Sequence, residues 1–94
     1  MSDFAYPLHE ECGVFGIYDK AGTEDVAAAV YSALYALQHR GQESCGIAVN
    51  DDGVIHGYRD SGLVNEVFTP EVLASVARPN AHMATGHVRY ATTG

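Results

Sequence analysis

The chain has 94 residues, 47% of them hydrophobic and 18% charged, which is enough for one small domain with a modest core and argues against disorder. Twelve Asp and Glu against five Lys and Arg give a formal charge of -7, so neither nucleic acid nor an anionic membrane surface is an expected partner. The longest apolar stretch, Val26 to Leu37, falls short of the roughly 20 residues of a spanning helix, and the acidic start "MSDFAYPLHEE" has neither the bases nor the apolar run of a secretory signal; the cytoplasm is the expected compartment.

The first predicted element is a strand in "CGVFGIYD", where Gly13 and Gly16 permit close backbone approach among Val14, Phe15, Ile17 and Tyr18. A helix should follow over Glu24 to Arg40, with Thr23 as N-cap. Val26, Val30, Ala33, Leu34 and Leu37 form its apolar face, and Gly41 stops it. "CGIAVN" and "VIHGYRD" flank "DDG", the signal of a hairpin. "SGLVNEVF" reads equally as strand or loop. Pro70 opens a short helix ended by Pro79, and "HMATGHVRYATTG" predicts a last strand from about His82 to Tyr90. No repeat or linker divides the chain, so the expectation is one α+β domain.

Three stretches could carry chemistry. A lone Cys12 at a strand edge is usually inert packing, because free cysteine is among the most buried residue types. As a nucleophile it would need a base, and its own α-amine would serve if it were the first residue. Cleavage after Glu11 would make it so. In "LQHRGQESCGI", His39, Arg40 and Gly41 read either as a helix C-terminus complementing the dipole or as a loop facing a ligand. In "GHVRYATTG", Arg89 is either an edge-strand charge or a planar fork for a carboxylate. The histidines and cysteines lack the paired short spacings of zinc ligation, so no metal site is predicted.

Taken together and in this order, "ECGVFGIY", "LQHRGQES" and "GHVRYATTG" resemble the N-terminal glutaminase domain of the glutamine phosphoribosylpyrophosphate amidotransferases (amidophosphoribosyltransferases), over about Glu11 to Gly94. The related hexosamine-forming synthases have Tyr-Arg-Gly-Tyr-Asp where this chain has His39-Arg40-Gly41-Gln42-Glu43.

The resemblance implies part of a four-layer α/β/β/α N-terminal-nucleophile sandwich of antiparallel sheets, with residues 1–11 as propeptide and 12–94 as the N-terminal portion of a class II glutamine amidotransferase domain. It implies that Cys12 attacks the glutamine amide, using its freed amine as base, and that Arg89 binds the glutamine carboxylate. Tyr90 and Thr92 would line the same pocket, and Arg40 and Gly41 the wall beside the thiol. Ammonia would pass to a phosphoribosyltransferase domain of the same full-length chain for phosphoribosylamine formation in purine synthesis. A homo-oligomer, magnesium and an iron–sulfur cluster are implied for the full-length protein, with no cofactor in this chain.

Cys45 stands where that family commonly has a small alanine-like residue, which predicts a buried thiol rather than a second nucleophile. The family's Asn-Gly oxyanion hole lies beyond Gly94, and Cys12 is here amide-bonded to Glu11, so the 94 residues by themselves are expected to be inactive. The alternatives are the glutaminase part of another class II amidotransferase, such as glutamate synthase, or a non-catalytic module in which Cys12 is packing and Arg89 an edge charge.

Overall fold

The computed structural model describes residues 8–38 and 42–93, with side chains over 13–38 and 42–90. The elements are β1 (Leu8–Tyr18), α1 (Val26–Leu37), β2 (Gln42–Asp51), β3 (Val54–Ser61), α2 (Val64–Val67), α3 (Pro70–Val76) and β4 (Met83–Thr93). The four strands form one antiparallel sheet in the order β1-β4-β2-β3. The expected α+β class is what the chain adopts. It supplies one helical layer on one sheet.

The sequence signals explain most of these elements. Exposure alternates residue by residue from Gly13 to Tyr18, as period-two patterning requires of a strand with one covered face. The hairpin between β2 and β3 turns at Asp52 (φ 53°) and Gly53 (φ 90°), both in the left-handed region that a two-residue type I′ turn demands. The Asn50 carboxamide oxygen accepts from the Gly53 N–H at 2.8 Å and tightens that turn. Thr69 caps α3 by accepting from the Val72 N–H, and Pro70 occupies its first turn.

Helix α1 is shorter at both ends than the pattern predicts. Thr23 is not its cap, because the Asp19 carboxylate accepts from the backbone N–H groups of Thr23 and Glu24, both at 2.8 Å, and folds those residues into a turn. These bonds, that of Glu24 first, hold the Asp19 carboxyl below its ordinary value. The cap is Asp25, whose side chain accepts from the Ala28 N–H at 3.0 Å. At the other end Gln38 leaves the helix in an extended conformation. Its side-chain oxygen accepts from the Val64 N–H at 2.8 Å, so the residue that ends α1 also caps the ambiguous segment, which is the single helical turn α2. The expected stop at Gly41 lies outside the described residues.

The core lies between α1 and the centre of the sheet. Val26, Val30 and Leu34 of α1 pack with Cys45, Ile47 and Val49 of β2 and Ala84 and Val88 of β4, joined by Val64, Val67 and Val76 from the short helices and Phe68 between them. Gly86 of β4 has no side chain because α1 runs directly over it: a Cβ there would lie 2.5 Å from Val30 Cγ1 and 2.7 Å from Leu34 Cδ1. Helices on one face leave the other as a platform, and the polar groups gather on that second face.

Candidate active site

Strand β4 lies between β1 and β2, so Arg89 is not an edge-strand charge. That disposes of the bland explanation for it, since an interior strand has no open edge to protect. Arg89 is directly opposite Cys12 of β1 in the antiparallel register, and opposite Ser44 of β2 on its other side. Three strands therefore bring position 12, Arg89 and Ser44 into one row across the sheet.

The next row along, on the same face, contains Val14, His87, Gly46 and Arg59. The His87 ring sits over Gly46, where a Cβ would meet ring atom Cε1 at 2.7 Å, so the glycine makes room for the imidazole. Ser44, Arg59, Asp60, Ser61, His87 and Arg89 together line an open polar groove of about 360 Å³. A second, more apolar hollow of about 320 Å³ continues from it along Gly46, Ala48, Gly57 and Thr85, sharing Arg59 and His87. The face thus carries Arg59, Arg89 and Asp60 at one end and small residues beyond them.

Arg89 is half-exposed, and one of its terminal nitrogens is 3.5 Å from Glu43 Oε1. The sequence pattern gave no role to Glu43. Its only signal was its place in the "HRGQE" run, and the contact depends on an irregularity in β2 that no hydropathy pattern reveals. Tyr90 alternates to the opposite face from Arg89 and packs, partly buried, against the core cluster. The backbone of Thr92 pairs with His9 on β1. Arg40 and Gly41 lie outside the described residues.

Cys45 is fully buried, as its replacement of a small residue predicts. Its thiol is 3.8 Å from the Gly62 carbonyl oxygen. Burial, and secondarily the charge of Asp60, pushes it up to about 11. A thiol so reluctant to ionise is unsuited to nucleophilic attack, which leaves Cys12 as the candidate nucleophile.

Among the described residues no three His, Cys, Asp or Glu side chains converge to hold a metal ion. Among the same residues, no helix is long and apolar enough to cross a membrane.

No family model matches the sequence. Individual proteins do. Over 85 residues, 90% of the chain, it is 53% identical to an amidophosphoribosyltransferase of Mycobacterium bovis. Over 92 residues, 98% of the chain, it is 51% identical to that of Mycobacterium leprae. The chain belongs to the amidophosphoribosyltransferase family. It spans 15% of the length of the first of these relatives and 16% of the second. The fold agrees: the glutamine phosphoribosylpyrophosphate amidotransferase of B. subtilis, solved in complex with ADP and GMP, superposes with a TM-score of 0.68 at 39% identity, over 82% of this chain and 16% of that one. Similarity to amidophosphoribosyltransferases in both sequence and structure favours this family over the glutamate synthase alternative.

Proposed function

We propose that this chain is the nucleophile-bearing part of the glutaminase of an amidophosphoribosyltransferase, acting in the cytoplasm within a longer, homo-oligomeric polypeptide. The observation that carries the reading is the register of β1 on β4, which sets Cys12 opposite Arg89. In the mature enzyme residues 1–11 are removed as a propeptide and Cys12 becomes the N-terminal residue.

Its α-amine, with an ordinary pKa of about 7.7 to 8.0, is then close enough to neutrality to take the thiol proton. The thiolate sulfur attacks the side-chain amide carbon of glutamine. The same amine returns the proton to the departing nitrogen, the C–N bond breaks, and ammonia leaves behind a glutamyl thioester. Water then cleaves the C–S bond to give glutamate and the free thiol. Ammonia is consumed by a phosphoribosyltransferase domain of the same polypeptide to form phosphoribosylamine.

Arg89 holds the glutamine α-carboxylate, for which a planar guanidinium with parallel N–H groups is suited. Arg40 and Gly41 shape the wall beside the thiol, and Tyr90, which faces the core from the other side of β4, does not line this pocket.

The test is Arg89→Ala in the full-length protein. Loss of a charge-assisted, bidentate contact should raise the KM for glutamine by about ten- to a hundredfold, with synthesis from added ammonia retained. Arg89→Lys should recover only part of the loss, because a point charge does not reproduce the fork. Equal loss of the glutamine- and ammonia-dependent rates would mark Arg89 as structural and overturn the assignment.

A further inference from the structure

Strand β2 enters the sheet through a bulge. Gln42 pairs with Tyr90 and Ser44 with Arg89, so Glu43 is the extra residue between two consecutive partners on β4. Bulges re-aim a side chain that regular pleating would direct elsewhere. This one is fixed by the turn after β3: the Gln42 side-chain nitrogen donates to the Gly62 carbonyl at 2.7 Å, and the Gly62 N–H donates to the Glu43 carbonyl at 2.9 Å. Gly62 has a φ of 126°, a conformation that favours glycine, so the clamp is specific to that residue. The Glu43 carbonyl and the preceding Gln42 side chain are both tied to Gly62, and the Glu43 carboxylate lies 3.5 Å from the Arg89 guanidinium.

We infer that Glu43 is a positioning residue for Arg89, orienting the guanidinium plane that receives the glutamine carboxylate. The inference rests on the carboxylate-binding role proposed for Arg89. Two effects of Glu43 oppose one another. Its charge repels an incoming carboxylate, but both side chains are about half-exposed, so solvent screens that repulsion. Its contact also removes rotamer freedom from a long side chain before substrate arrives, and such ordering is a principal cost of binding. Ordering is the larger effect, so Glu43 should favour glutamine binding although it is itself an anion.

The experiment measures glutamine-dependent rates of the full-length protein as a double-mutant cycle: wild type, Glu43→Gln, Arg89→Ala and the double variant. Glutamine at position 43 keeps the length of the side chain and removes its charge, and the backbone carbonyl that accepts from the Gly62 N–H is untouched. E43Q should raise the KM for glutamine about three- to tenfold, the scale of ordering one rotamer-rich side chain, with kcat changed by less than about twofold. In the Arg89→Ala background the same change should have no effect, because the residue through which Glu43 acts is gone.

An unchanged or lowered KM in E43Q overturns the inference, as does an equal increase in both backgrounds, which would assign Glu43 to the bulge alone. If Arg89→Ala itself leaves KM unaltered, the role of Arg89 fails first and the positioning role with it. Should E43Q not fold, Glu43→Asp retains the charge but shortens its reach by a methylene, and must still raise KM.

Discussion

Replacing Gly86 by alanine tests how the helix layer is seated on the sheet beneath the candidate site. The added Cβ would lie 2.5 Å from Val30 Cγ1, 2.7 Å from Leu34 Cδ1 and 3.1 Å from Leu34 Cγ. Carbon atoms prefer about 3.5 to 4.0 Å, so α1 would have to rise from β4 by roughly 1 Å. Val30 and Leu34 are fully buried and have little room to rotate away. Overpacking of this kind costs about 1 to 3 kcal/mol, partly offset by about 0.5 kcal/mol because alanine suits a strand better than glycine. A net loss of about 0.5 to 2.5 kcal/mol, at an m-value near 1 kcal/mol/M, lowers the urea midpoint by about 0.5 to 2.5 M. Far-UV circular dichroism of the chain in urea reads this directly. Val30→Ala removes the atom making the shortest clash, so Gly86→Ala should cost less in that background, with the Leu34 contact keeping part of the penalty. A midpoint unchanged by Gly86→Ala, or an equal penalty in both backgrounds, would refute the close seating of α1 on β4.

Two further outcomes are expected. Intact-mass measurement of active full-length protein should find Cys12 at the N-terminus, and a fully active species beginning at Met1 or Ser2 would refute the proposed use of its α-amine as base. Cys45 should make folding sensitive to alkali: its thiol is raised from 9.0 to about 11 in the folded state, so its contribution is complete below pH 9 and declines as pH rises toward 11. The slope in that window approaches about 1.4 kcal/mol per pH unit. Urea midpoints of Cys45→Ala should therefore fall less steeply than those of the wild type between about pH 9 and about pH 11, and parallel curves would refute the burial argument.

The sequence was legible where a local rule had no competitor. Asp51, Asp52 and Gly53 signal a tight turn and Pro70 the opening of a helix, and both form where the sequence puts them. It misled at α1 because two residues were committed elsewhere. Asp19 recruits the amides of Thr23 and Glu24, and Gln38 spends its side chain on Val64, 26 residues away. Neither commitment follows from helical periodicity. In the candidate site, Cys12 and Arg89 are visible as residue types, yet their adjacency depends on strand order. A strand read alone cannot tell whether it is an edge, and Arg89 looked equally suited to protecting one. Glu43 was invisible for a further reason: its contact with Arg89 requires one extra residue in β2 relative to β4, a property of the pair of strands rather than of either sequence.

The strand order also bears on why glutamine suits the proposed pocket. Neighbouring strands lie about 4.7 to 4.9 Å apart, and this spacing is set by backbone hydrogen bonds rather than by the side chains. A nucleophile on β1 and a carboxylate-binding group opposite it on β4 are thus held at a separation that changing a side chain barely alters. In glutamine the α-carboxylate and the reactive amide are separated by Cα and two methylenes. Bound at the first group, it can extend its amide toward the second, whereas asparagine is one methylene shorter. Discrimination by reach requires that the two anchors not drift, and an interior strand paired on both sides supplies that rigidity better than a loop. On the proposed reading, the same pairing that removes Arg89 from the sheet edge also fixes the length of the substrate it can present to Cys12.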